Sequence, residues 1–123
     1  MSTLDDVRRL ATALPQVEES TSYGSPAFRV AGKVFASVRG PRRAEIVDGV
    51  VGPDAEILVA WCHDVGERES LIAARPDRFF TTDHYCDHPS VLVRLETVED
   101  EELRELLEDA WDARAPQSLH PGE

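Results

Sequence analysis

Cysteine is scarce in this chain: Cys62 and Cys86 are the only two among 123 residues, and they do not form a CxxC pair. That excludes the disulfide frameworks of small secreted domains and the paired-cysteine zinc ribbons, and both residues are read as free thiols. Long apolar runs are also lacking, since no stretch approaches the roughly 18 apolar residues that a membrane span requires. The opening MSTLDDVRRL sets acids beside its arginines and has no apolar segment of signal-peptide type, so a cytoplasmic protein with no membrane partner is expected. Positive charge is in short supply. Thirteen Lys and Arg face twenty-four Asp and Glu, a net charge of -11, which argues against tight nonspecific binding to nucleic acid.

What the chain does contain is ordinary globular material, 41% hydrophobic and 30% charged, in a length that suits one domain with a single core. Charge is unevenly distributed along it. Residues 1–43 hold seven basic and four acidic side chains, a balance of +3, whereas residues 44–123 hold six and twenty, a balance of -14. Within 29–43 lie Arg29, Lys33, Arg39, Arg42 and Arg43 with no acid among them. This is the one basic island.

Periodicity organises the rest. Leu4, Val7, Leu10, Ala11 and Leu14 recur at helical spacing behind Thr3, with Asp6 placed as in a capping box, and Pro15 stops the helix. The stretch 16–26 is rich in Ser, Thr, Gly and Pro and reads as a connecting loop. Ala27–Ala31 and Lys33–Arg39 read as a β-hairpin turning at Ala31-Gly32, with Phe28 and Val30 opposite to Arg29, and Val34, Ala36 and Val38 opposite to Phe35, Ser37 and Arg39. Residues 40–55 carry two short apolar runs around Asp48-Gly49 and read as a second, small hairpin. Glu56–Trp61 is apolar on both faces, as a central strand would be. A short helix at Glu67–Ala74 ends at Pro76, and strands follow at 79–82 and 91–95. The last helix has Thr97 as its expected cap, acids at 99–102 and an apolar stripe through Leu103, Leu106, Leu107, Ala110 and Trp111. The order predicts an α+β domain over residues 1–116, an antiparallel or mixed sheet with three helices packed on one side, and a disordered tail at 117–123.

Three segments resemble the MmcQ/YjbR family. They are Glu19 through Ala36, which reads ESTSYGSPAFRVAGKVFA; Phe79-Phe80-Thr81-Thr82-Asp83-His84-Tyr85 with Val91-Leu92-Val93-Arg94-Leu95; and Leu103 through Trp111. They occur in the family's order and together span roughly residues 4–116. The resemblance implies a compact α+β fold. It also implies a DNA-binding role, because members are commonly described so on account of a double-wing-like shape. It carries no catalytic or base-reading residue onto this chain. Residues 40–55 depart from the family pattern in being longer and richer in Gly and Pro.

Three constellations could carry chemistry. The basic island could grip phosphates as a wing does, giving weak, salt-sensitive contact with DNA, or its cations could pair with the acids that crowd the remainder of the chain. The loop His84-Tyr85-Cys86-Asp87-His88 gathers imidazoles, a phenol, a thiol and a carboxylate, with Cys62-His63 elsewhere as further ligands. Its spacing matches no zinc template and its acidic surroundings would raise a thiol pKa, so neither a metal nor a thiol nucleophile is expected. Tyr23, His84, Tyr85, Arg94 and Trp111 could line a pocket for a small anionic or planar molecule, although Trp111 also lies on the core stripe of its helix. The expectation is a non-catalytic binding domain without cofactor, monomeric or homodimeric, that contacts DNA through the island or else holds a small molecule. Docking of a basic protein on the acidic last helix is a third reading that charge permits.

Overall fold

A computed structural model describes residues 2–22, 24–49, 51–82 and 89–116. The elements run α1 (Leu4–Thr12), β1 (Val17–Ser22), β2 (Ser25–Val30), β3 (Lys33–Arg39), α2 (Arg43–Val47), β4 (Ile57–Trp61), α3 (Val65–Ala74), β5 (Phe79–Phe80), β6 (Ser90–Arg94), a 3-10 turn at Leu95–Thr97 and α4 (Asp100–Arg114). The six strands form one antiparallel sheet in the order β1-β2-β3-β4-β6-β5. The fold is α+β, as the order of elements predicts. No helix among the described residues is long and apolar enough to cross a membrane.

Helices α1, α3 and α4 cover one face of the sheet. Their apolar stripes, Val7 and Ala11 from α1 and Leu103, Leu107, Ala110 and Trp111 from α4, meet Phe28, Val30, Leu58, Ala60, Val91 and Val93 in the main core. Leu71 and Ile72 of α3 pack against the edge of that core. The alternation of the strands sends Ile57, Val59, Phe80 and Leu92 to the other face, where Val51 and Ala55 close over them in a second, smaller cluster. Helix starts follow local chemistry. Thr3 and Asp6 form the expected capping box, the Thr3 N–H donating to Asp6 at 2.9 Å, and Asp64 accepts from the Glu67 N–H at 2.7 Å to begin α3.

Four local expectations are corrected. Residues 17–22 are a strand and not a loop; VEESTS has little apolar character because β1 is an edge strand, where charge deters pairing with other chains. The 40–55 segment is not a hairpin. Glu45 reaches back to accept from the Arg42 N–H at 2.8 Å, which starts α2 although Arg42 is no capping residue type. Gly49, at φ 74°, then donates to the Ile46 carbonyl at 3.0 Å, so Asp48-Gly49 ends a helix where a hairpin turn was expected. The last helix is preceded by Glu99 as its cap, while Thr97 lies in the 3-10 turn and donates to the Arg94 carbonyl at 2.7 Å.

The fourth correction concerns β3. A bulge shifts the register so that Phe28 pairs with Ala36 and Arg29 with Val34, which leaves Phe35 without a cross-strand partner. Strict alternation puts Phe35 on the face away from Ala36; the bulge turns both into the main core. The β2–β3 turn itself is as expected, with Ala31 at φ 51° and Gly32 at φ 80°, the signs a type I′ turn requires. Ala31 is there without the freedom of glycine. Ala31→Gly is therefore expected to raise the unfolding free energy by about 0.5–1 kcal/mol in urea titrations, relief of left-handed strain exceeding the added chain entropy. No change or a loss would show that the turn carries no strain.

Candidate functional site

The five cations of the basic island are placed by β2, β3 and α2, and they do not converge. Arg29 and Lys33 sit at the β2–β3 turn, whereas Arg39 ends β3 and Arg42 and Arg43 follow it. Lys33 and Arg39 are six residues apart on one strand, roughly 20 Å. Arg29 is half-buried on the face opposite the helices, donating to the Ser20 hydroxyl at 2.9 Å and to the Gly32 carbonyl at 3.3 Å. Lys33, Arg42 and Arg43 are exposed.

Arg39 is the structurally committed member. Its Nη1 and Nη2 donate to the two oxygens of Glu45 at 3.0 and 2.9 Å, and Nη1 also reaches the Gly40 carbonyl at 3.0 Å. The two side chains are only 12% and 4% exposed. Burial pushes the Glu45 carboxyl upward, but the Arg39 hydrogen bond and charge, with the Arg42 N–H, outweigh it and hold the group below its ordinary value. The pair fastens α2 to the end of β3. Of the two readings of the island, a phosphate grip or pairing with acids elsewhere in the chain, Arg39 follows the second: its carboxylate partner, Glu45, lies six positions on, just outside the acid-free window.

Beside Arg39 a cavity of about 260 Å³ opens at the end of the sheet, lined by Leu4, Gly24, Pro26, Val38, Gly40 and Glu56 among others. It is small for a ligand site, and mostly apolar apart from Arg39, Ser25 and Glu56. Gly24, just before β2, and Pro26, within it, both in the family-like block, form part of its wall. Glu56 already accepts from the Leu4 N–H at 3.3 Å, so its carboxylate is held at the rim.

The expected aromatic pocket is not assembled by the residues that can be placed. Tyr23, His84 and Tyr85, together with Cys86 and His88, lie outside the described residues. Arg94 and Trp111 are on opposite faces of the sheet. Arg94 stacks over the Phe80 ring at 4.6 Å in the smaller cluster and donates to the carbonyls of Pro76 and Asp77 at 3.2 Å. Trp111 is 6% exposed in the main core and its indole N–H donates to the Pro15 carbonyl at 2.9 Å. Beside the indole edge is a separate cavity of about 270 Å³ whose wall includes Leu14, Pro15, Glu108 and Asp112.

A further polar cluster joins α3 to α4. The His63 Nδ1 is 2.8 Å from Glu67 and its Nε2 is 3.2 Å from Asp112. Carboxylates at both ring nitrogens favour the imidazolium, the one form with a proton to offer each. The Glu67 hydrogen bond raises the His63 pKa; partial burial opposes this and Asp112 adds to it. A folded pKa above the unfolded value means that His63 contributes stability below the unfolded value of about 6.5 and loses it as pH rises through the folded one. His63→Gln is therefore expected to flatten the pH dependence of the melting temperature between about pH 6 and 8. An NMR titration placing the wild-type imidazole at or below 6.5 would contradict this. Next to it, burial first and then Glu67 push the Cys62 thiol up to about 12, so it stays protonated and unreactive at neutral pH. Among the described residues no group of three or more His, Cys, Asp or Glu is placed to hold a metal.

The sequence itself decides the family. A family model, YjbR, matches residues 12–113. The chain belongs to the YjbR family. Uncharacterized proteins of Mycobacterium tuberculosis and Mycobacterium bovis are 35% identical to it over 123 residues, covering 97% of this chain and 93% of theirs. The YjbR fold of this chain is similar to a crystal structure from Deinococcus radiodurans described as containing the DUF419 domain, with a TM-score of 0.64 and 24% identity across 100% of this chain and 96% of the other. At that identity the likeness speaks for the fold.

Proposed function

We propose that this YjbR chain is a non-catalytic binding domain that takes a small, largely apolar molecule in the cavity between the start of β2 at Gly24–Pro26 and the end of β3 at Arg39–Gly40. The supporting observation is that Arg39 is fixed from behind by Glu45, so the cavity has a rigid wall with a cation whose charge is already balanced. Glu56 at the rim is the group left to accept a hydrogen bond from a ligand. A neutral or singly cationic molecule suits that lining better than an anion.

Gly40 provides the test. A Cβ built at Gly40 meets nothing within 4 Å, and its backbone is not left-handed, so a side chain fits there without clash. Gly40→Leu is expected to fold normally and fill the cavity. A metabolite panel read by thermal shift should contain compounds that raise the wild-type melting temperature and leave Gly40→Leu unmoved, a ligand at one hundred times its Kd giving about 2.7 kcal/mol. Equal shifts in both proteins would move the site elsewhere, and none in either would remove the reading.

Contact with DNA is the second reading, favoured by Arg42 and Arg43 lying exposed side by side at the start of α2. Two or three phosphate contacts give weak binding with a shallow salt slope. In fluorescence anisotropy with a labelled duplex, Arg42→Glu/Arg43→Glu should abolish the signal; undiminished binding would sink this reading.

A further inference from the structure

The surface of α2 is unusual for a solvated helix. Ile46 and Val47 are 37% and 73% exposed, although a buried ion pair holds the helix in place beneath them. Exposed Arg42 and Arg43 flank them, so α2 presents a rigid knob with an aliphatic tip and a basic shoulder. A flexible loop would carry the same residues at no cost in buried charge. Rigid presentation of apolar groups beside cations is what a docking element needs, since little entropy remains to be lost on contact.

The opposite face of the molecule offers the complement. The cavity of about 270 Å³ by Trp111 has an apolar floor of Leu14, Pro15 and the indole edge, and its rim carries the exposed carboxylates Glu108 and Asp112. Glu105 and Asp109, also exposed on α4, extend the negative rim. Shape class and charge sign both match the knob: aliphatic tip to apolar floor, guanidinium groups to carboxylates. α2 is tied to the sheet face away from the helices and the cavity lies among them, so a chain cannot satisfy both patches with each other.

We infer that the α2 knob of one chain docks in the Trp111 cavity of a second copy of this chain, with Ile46 and Val47 on the apolar floor and Arg42 and Arg43 facing Glu108 and Asp112. The two patches differ, so the contact is heterologous and propagates head to tail, closing into a ring where the rotation allows. The area involved is small and a net charge of -11 on each copy opposes approach, which sets the affinity at the weak end, a Kd on the order of 0.1–1 mM.

Complementation between two variants tests this more sharply than salt, because salt screens the local attraction and the overall repulsion together. Val47→Asp disables the knob and keeps the cavity; Glu108→Arg reverses the rim and keeps the knob. Both positions are exposed, and circular dichroism confirms each fold. In sedimentation equilibrium, wild type is expected to rise above its 13.7 kDa mass with concentration, and each variant alone to associate at least about tenfold more weakly. Mixed in equal amounts, the variants should form a dimer and nothing larger, since one intact knob meets one intact cavity. Wild type that stays monomeric throughout, variants that associate like wild type, or a mixture that gains nothing over its parts would each overturn the inference.

Discussion

Replacing Arg39 by methionine is expected to lower the unfolding free energy by about 3–5 kcal/mol, because Glu45 would be left as a buried carboxylate without its fork. The geometry justifies a value at the high end for a single ion pair. Both partners are largely buried, the contact is bidentate, and the same carboxylate also holds the N–H of Arg42, the residue just before α2. Two controls separate this from loss of packing. The double variant Arg39→Met/Glu45→Leu should recover much of the loss, since no charge is then left buried. The pH dependence supplies the other control. Glu45 has a folded pKa below its unfolded one, so its contribution is fully present above the unfolded value of about 4.3 and is lost as pH falls through the folded value. Arg39→Met should therefore differ from wild type most at neutral pH and least in acid. Urea titrations in which the single variant costs under about 1 kcal/mol would mean that the pair behaves like an exposed surface bridge.

Phe35→Ala is expected to cost about 3–5 kcal/mol, with a fall in melting temperature on the order of 10 °C. The ring is fully buried in the main core, brought there by the bulge that places Phe35 and Ala36 on the same side of β3. Ser37→Ala, two positions along on the other face, should change stability by less than about 0.5 kcal/mol. These outcomes separate the bulged register from plain alternation, in which Phe35 and Ser37 share a face. Comparable small effects at both positions would contradict the bulge.

Legibility varied with the kind of signal. Helices α1, α3 and α4, the β2–β3 hairpin and the central place of β4 could be read directly, because each depends on residues near one another in sequence: a repeat of 3.6, an alternation of two, a turn with positive φ. β1 could not, since VEESTS owes its strand conformation to hydrogen bonds from β2 rather than to its own apolar pattern. α2 was hidden for a related reason. Its start depends on a carboxylate that serves as helix cap and ion-pair partner at once, and neither role leaves a mark in composition.

Charge was the least legible. The acid-free window from Arg29 to Arg43 suggested one phosphate-gripping patch, but an extended strand carries its two ends far apart, and β3 separates the cations into two groups. Arg94 and Trp111 were candidates for one pocket, yet the parity of β6 sends Arg94 to the face opposite the helix stripe that buries Trp111. Neither separation follows from residue types; both follow from which side of a sheet a position occupies.

Local order, then, belonged to the sequence: the α+β class, the family and most of the elements, which rest on patterns a few residues long, and the overall excess of negative charge, which is composition alone. The tertiary structure alone decided which charges meet, which aromatic groups share a face, and which apolar side chains remain outside. Those depend on strand register and on a single bulge, where shifting one residue exchanges the two faces of the sheet, and no local pattern carries that information.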